Sequence, residues 1–400
     1  MDNIKKTVRD FIYASDGLLK LRPAWVAHDF LTPGRRLGLR EADYDAGERG
    51  FYMERWFCSE THAVNQIDIP DEGMSYLEIP DERILVRDAV ALCGEEIMGA
   101  AYARSHQSLG RLIKIYDFGT RLFMHFHQRA ADLAGTGKSP KDEAYHFLDA
   151  PLGNHPETFF GVRRSLVERN KQYDYFLPFL QRWEGDETDI LKYSTAFQNV
   201  PGEGFFLDSG ILHAPGTALT LEIQEPSDVG AILQPMVNGH KIPKSMLLKD
   251  VRQADIDAHG EMAALMQVDW DASSDPDFFE KRHLYPKQVE ETRQGEMFEE
   301  WIYYGTTKFS GKRLILPPGK SFRSVEPGVH NIFVWKGEAD VDGVSLRAGA
   351  FGLTFCEDEL LVICDRAQKG YTVKNTGHND LVLYKIFGPD IQNGRTPDIG

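Results

Sequence analysis

His125 and His127 lie one residue apart in the run Arg121–His127, RLFMHFH, whose short apolar and aromatic text predicts a β-strand. In a strand, residues i and i+2 share a face, so both imidazoles project together while Phe126 points the other way. The glycine turn at Gly119-Thr120 starts this strand, which then delivers the two side chains as a pair. Glu143 opens a second strand candidate, EAYHFLDA, and His213 follows a Gly-x-x turn in Gly210-Ile211-Leu212-His213. Three imidazoles and one carboxylate form a borderline-hard donor set suited to Zn, Fe, Mn, Ni or Co. An isolated pair of histidines in a strand is more often packing or surface, as His146 and His155 are read here. The combination of the pair, a following glutamate and a later Gly-x-x-His in strand-rich text favours metal binding.

These residues need strands to hold them. LIKIYDF and RLFMHFH, then FFLDSGILHAPG after the Pro201-Gly202-Glu203-Gly204 turn, and the alternating run ALTLEIQ, predict a β-barrel or sandwich over 106–235. The stripe Val162, Leu166, Tyr173, Phe176, Phe179 and Leu180 predicts a helical insertion over 162–190. Residues 1–105 are expected to form strands, loops and a helix over 86–105 that pack on this first barrel. Residues 236–295 read as a connector, with DWDASSDPD its most loop-like part and a surface path. From 296 to 400 the text is almost purely β and predicts a second barrel. Its histidines, His330 and His378, lie three strand candidates apart with no matching carboxylate, so this barrel is expected to be metal-free. The fold class expected is therefore mainly β, with a β-barrel or sandwich in each half and helical insertions.

Composition sets limits. The chain has 400 residues, 42% of them apolar, and a formal net charge of −16. That is globular composition for two domains or slightly more, and its acidity argues against generic nucleic-acid binding. Cys58, Cys93, Cys356 and Cys364 are scattered and form no CxxC, so they read as reduced intracellular thiols. No run approaches 18 apolar residues and the N-terminus lacks an apolar signal core, so a cytoplasmic protein without membrane contact is expected. The oligomeric state is not legible.

Several runs together resemble the type I mannose-6-phosphate isomerases of the cupin superfamily. They are LIKIYD (112–117), LFMHFH (122–127), KDEAYHFLDA (141–150), ETFFG (157–161), and Pro201-Gly202-Glu203 with FFLDSGILHA (205–214). Leu221-Glu222-Ile223-Gln224 and Ser227-Asp228 follow in order, and Glu54-Arg55-Trp56 with Ser59 is similar to an early Glu-x-Trp-x-x-Ser element. The resemblance spans about 50 to 235. It implies a bicupin-like fold of two jelly-roll barrels with helical insertions, the first holding one divalent metal, zinc first, through His125, His127, Glu143 and His213 and interconverting an aldose phosphate with a ketose phosphate. It also implies an active-site Lys141, and Glu222 as a carboxylate beside the substrate. With the match, Glu222 is the first candidate for acid–base work, with His240 and Lys141 behind it. Ser227 and Lys244, the latter in an Ile-Pro-Lys similar to a downstream Thr-Pro-Lys, are candidate substrate contacts.

The departures from the family matter too. The family carries Gln where His125 stands and proline where Asp208 stands. It places a catalytic arginine beyond its Ser-Asp pair, whereas this chain has no arginine between Arg182 and Arg252. Lysine supplies a point charge but lacks the planar fork that grips phosphate. The leading expectation is a metal-dependent isomerase of a sugar or sugar phosphate. A cupin oxygenase, and a sugar-binding or sensing cupin without turnover, are the alternatives.

Overall fold

A computed structural model describes residues 2–65, 67–185 and 189–400. Four larger antiparallel sheets carry the chain, together with one two-stranded hairpin. The first sheet has seven strands in the order His283–Leu284, Gly204–Leu207, Glu143–Phe147, Thr220–Gln224, Leu112–Tyr116, Phe51–Phe57 and Ala24–His28. The second has five, in the order Ala231–Ile232, His125–Phe126, His213–Ala214, Glu157–Phe160 and Thr195–Gln198. One apolar cluster, containing Tyr116, Phe126, Tyr145, Phe147, Phe160, Phe205 and Ala214, joins these two sheets face to face.

Both faces of the seven-stranded sheet are covered, so its alternation sorts side chains between two interiors instead of between core and water. In Thr220–Gln224 all five residues are buried. Leu221 and Ile223 pack on the far side with Trp301, Tyr303, Phe333 and Tyr384, while Thr220, Glu222 and Gln224 take the other face. Gly204 permits close approach on this sheet, since a Cβ there would meet the Tyr145 carbonyl oxygen at 1.7 Å.

The remaining sheets lie behind the first. Eight strands run in the order Lys287–Gln294, Met297–Tyr303, Ser310–Leu316, Leu381–Phe387, His330–Lys336, Glu359–Val362, Leu18–Arg22 and Tyr76–Leu77. A four-stranded sheet of Ser321–Ser324, Tyr371–Asn375, Glu338–Val341 and Val344–Arg347 faces it across a cluster containing Phe322, Ile332 and Val373. His330 sits in this region with Nδ1 against the Gly328 carbonyl oxygen at 2.9 Å and Nε2 against the Tyr371 hydroxyl at 2.7 Å. Among the described residues no helix is long and apolar enough to cross a membrane.

Several local expectations differ from the structure. Residues 1–105 serve both halves: Ala24–His28 and Phe51–Phe57 join the seven-stranded sheet, but Leu18–Arg22 pairs with Glu359–Val362. The expected helix over 86–105 is two helices, Val86–Met98 and Ala100–Ala103, interrupted at Gly99, whose φ is +84°. The insertion helix is likewise two, Arg164–Glu168 and Gln172–Gln181, because Asn170 takes a left-handed φ of +54° between them. Only His125–Phe126 of RLFMHFH forms a strand. The stretch expected as a surface connector carries helices Gln253–His259, Met262–Met266, Trp270–Ser273 and Phe278–Arg282. Within DWDASSDPD the Asp269 side chain caps a helix by accepting from the Ala272 N–H at 2.9 Å, and Trp270 is buried in the first core.

Candidate metal centre

His125 and His213 are direct cross-strand partners in the five-stranded sheet, and His127 follows two residues on. Their ring centroids are 4.0 Å apart for His125 and His213, and 5.2 Å from each of these to His127. One ligand atom from each lies within 4.8 Å of the others. Each Nδ1 faces a backbone carbonyl oxygen: Phe123 for His125 at 2.9 Å, Val229 for His127 at 2.7 Å, and Ile211 for His213 at 2.9 Å. A carbonyl only accepts, so every Nδ1 carries a proton, and in the neutral ring Nε2 is then the lone pair. This carbonyl support is the usual outer shell of metal-binding histidines. Burial, reinforced by the other two rings, lowers the His125 pKa well below the ordinary range. Burial, with the Lys141 charge adding to it, lowers that of His127 to about 4. Both are therefore neutral ligands near pH 7.

Glu143 enters from the opposing sheet. Its Oε2 is 3.1 Å from His127 Nε2 and its Oε1 is 3.0 Å from His213 Nε2. Tyr145 donates its hydroxyl to the same carboxylate. Burial opposes ionisation of Glu143, but the Lys141 ammonium outweighs it and holds its pKa well below the carboxylate range. The buried His213 Nε2 has no hydrogen-bond partner, because its neighbour Glu143 is also an acceptor. Two lone-pair carriers at 3.0 Å repel unless a cation or proton lies between them. The donor set therefore fits a divalent cation, which the three Nε2 atoms would hold with the Glu143 carboxylate adjoining.

A line of alternating charges leads away from the histidines along one face of the seven-stranded sheet. Lys141 Nζ lies 3.0 Å from Glu143 Oε2, 3.2 Å from His127 Nε2 and 3.6 Å from Glu222 Oε1. Glu222 pairs in register with Lys114, whose Nζ is 3.4 Å from Glu222 Oε1 and 3.6 Å from Glu54 Oε2. Glu54 also accepts from Trp56 Nε1 at 2.7 Å and lies 3.1 Å from His28 Nε2. Burial pushes the Glu222 pKa up to about 7, against the pull of Lys114 and with Glu143 adding to the rise. Glu222 Oε1 makes no hydrogen bond, and its ionic neighbours are the Lys114 and Lys141 ammonium groups.

The structure thus brings together His125, His127, His213, Glu143, Lys141 and Glu222. Three other candidates stand apart. His240 lies in the hairpin Met236–Val237/His240–Lys241, with no hydrogen bond or ion pair to the group. Lys244 Nζ donates to Glu261 at 2.6 Å. Ser227 donates its hydroxyl to the Ser139 carbonyl oxygen at 2.7 Å and ties two loops together. Sequence reasoning gave no role to Lys114, Glu54 or His28. A lysine inside the apolar run LIKIY was the available signal for Lys114, since a charge there needs a buried partner.

The class these features define is a mainly β protein with a three-histidine group between facing antiparallel sheets. Among solved structures, its fold is similar to that of a phosphomannose isomerase variant from Salmonella typhimurium, with a TM-score of 0.61 and 13% identity over 93% of this chain and all of that one. Mannose 6-phosphate isomerase from Bacillus subtilis gives 0.60 and 14%, covering 92% of this chain and 99% of that one. At such identities the likeness establishes the fold. No protein-family model and no curated protein sequence matches the chain.

Proposed function

We propose that this chain is a metal-dependent aldose–ketose isomerase acting on a sugar or sugar phosphate. The observation that carries the reading is the convergence of three imidazole Nε2 atoms and Glu143 beside Glu222, on a fold similar to that of phosphomannose isomerases. His125, His127, His213 and Glu143 would hold the cation, with zinc the first candidate and Mn, Fe, Ni and Co the others. When bound, such an ion supplies Lewis acidity toward a carbonyl and neutralises charge that develops on oxygen.

The protein's own groups account for the proton traffic. Glu222 is the base, taking the proton from the carbon next to the carbonyl and returning it to the neighbouring carbon. Its raised pKa places it close to neutrality, where a carboxylate both accepts and releases a proton readily. Lys114 and Lys141, at 3.4 and 3.6 Å from Glu222 Oε1, fix the carboxylate between them and offer N–H donors to substrate oxygens. The carbonyls of Phe123, Val229 and Ile211 hold the imidazoles in one tautomer, so no rearrangement is needed during turnover.

Elemental analysis of the purified protein, with NMR of aldose–ketose exchange in deuterated water over a panel of free and phosphorylated sugars, tests the reading. We expect about one divalent metal per chain and exchange that stops on chelation. His127→Ala should lose both metal and turnover. An unchanged metal content in that variant would remove the site from contention. Iron with oxygen consumption and no exchange would favour an oxygenase, and sugar binding without exchange a sensor.

A further inference from the structure

We propose that the sugar taken by this chain is uncharged, with no phosphate ester. The inference rests on the isomerase reading above and concerns the cavity that adjoins the histidine group. That cavity has a volume of about 280 Å³, slightly below the usual range for small-ligand pockets. Phe123 and Ile232, two of its walls, bound His125 directly: the Phe123 ring centroid lies 5.3 Å from that of His125, and Ile232 is the cross-strand partner of His125. On another side is Phe30, whose ring is 5.0 Å from His28 at the far end of the charged line. The walls of this cavity thus touch neighbours of His125 on one side and of His28 on another.

The walls do not suit a phosphate. Asp29 and Lys249 are the ionisable residues lining the cavity among those described, and their formal charges cancel. Lys249 Nζ already donates to the Asp228 carbonyl oxygen at 3.0 Å and lies 3.5 Å from the Asp228 carboxylate. Lys244, close by in sequence, is held by Glu261. Deeper in, the two ammonium groups of Lys114 and Lys141 face three carboxylates, Glu54, Glu143 and Glu222. A phosphate ester brings about −1.5 to −2 charges and three strong acceptor oxygens, so it needs convergent cationic or N–H donors. Here Asp29 stands at the wall as an acceptor, and Phe30, Val64, Ile242 and Met246 supply apolar surface. Sugar hydroxyls donate to acceptors and sugar C–H faces pack on apolar walls, whereas phosphate oxygens do neither.

The test uses the metal-loaded full chain with hexoses, 6-deoxyhexoses and the matching hexose 6-phosphates. Exchange is followed by NMR, and binding by thermal shift with the same compounds. We expect kcat/KM for the best free sugar to exceed that of its 6-phosphate by tenfold or more, with the same order in the thermal shifts. Asp29→Lys, at an exposed position, should move the ester-to-free-sugar ratio toward the ester by fivefold or more. A 6-phosphate preferred in turnover or in binding overturns the inference and leaves the isomerase reading standing. Absence of exchange with every compound sinks that reading instead. The binding order then decides the inference: a free sugar bound ahead of its ester retains it, and no binding by either removes it.

Discussion

At the scale of single residues, the site sets three imidazoles beside one buried carboxylate. The three imidazoles give their Nδ1 protons to backbone carbonyls, and Glu222 sits between two ammonium groups in a buried setting that disfavours its charge. Its proposed role as the base predicts a pH profile. A base must be ionised to act, and burial raises the Glu222 pKa to about 7, so turnover should rise as pH climbs toward that value. A bound cation pulls the carboxylate back down, which places the rising limb at or below about 7. Glu222→Gln should keep its metal, lose this limb and reduce kcat by about 10²- to 10⁴-fold. A variant that keeps most of kcat and the same limb would assign the proton transfer to another group. Lys114 belongs to this residue-scale picture too, although only its strand partner across the sheet gives it a purpose.

At the scale of elements, the histidines depend on loops as much as on strands. Val229, whose carbonyl orients His127, precedes Gly230, whose N–H donates to Asp250 Oδ2 at 2.8 Å. Lys138 Nζ donates to the other oxygen of the same carboxylate at 2.5 Å. Asp250, in the segment read from sequence as a connector, thus fixes the loop whose carbonyl holds His127. Asp250→Ala leaves the Gly230 N–H without this partner and should cost about 1–3 kcal/mol in stability. Metal affinity should fall by about 10–100-fold, as for loss of other outer-shell supports. Urea unfolding and metal titration of the variant check both numbers, and unchanged affinity would show that Val229 holds its place without Asp250. The helices around Trp270 tell the same story. Asp and Ser content suggested an exposed path; Asp271, Pro276 and Asp277 are exposed, but an Asp cap starts a short helix there that buries Trp270 in the core.

At the scale of the whole molecule, the C-terminal half backs the seven-stranded sheet. Arg55 makes a bidentate pair with Asp358 at 2.6 and 2.7 Å, the Phe57 and Phe333 rings stack with centroids 4.4 Å apart, and Tyr303 donates its hydroxyl to the Leu221 carbonyl oxygen at 2.7 Å. The last contact braces the strand that carries Glu222. Beside this interface Glu359 is buried, and desolvation raises its pKa to about 8 against the pull of Arg55. The unfolded group titrates near 4.5, so the stability it contributes is complete below that pH and is lost as pH rises to about 8. Glu359 alone gives a slope of at most about 1.4 kcal/mol per pH unit across that window. Glu359→Gln should flatten the fall of stability between pH 5 and 8 in denaturant titrations. An unaltered slope would mean that Glu359 titrates near its ordinary value.

Local text carried a good part of this. The i, i+2 spacing of His125 and His127 put both rings on one face, and the alternation in ALTLEIQ separated Glu222 from Leu221 and Ile223, because strand periodicity is a property of the chain itself. Neighbours distant in sequence were not legible in that way. The pairing of His213 with His125, the placing of Lys114 and Glu54 next to Glu222, and the crossing of Leu18–Arg22 into the C-terminal sheet are decided by which strands meet. Periodicity fixes the face a side chain takes but not what lies opposite it. The charges gathered around Glu222 came from strands far apart along the chain, and only the folded sheets set them within a few ångströms of one another.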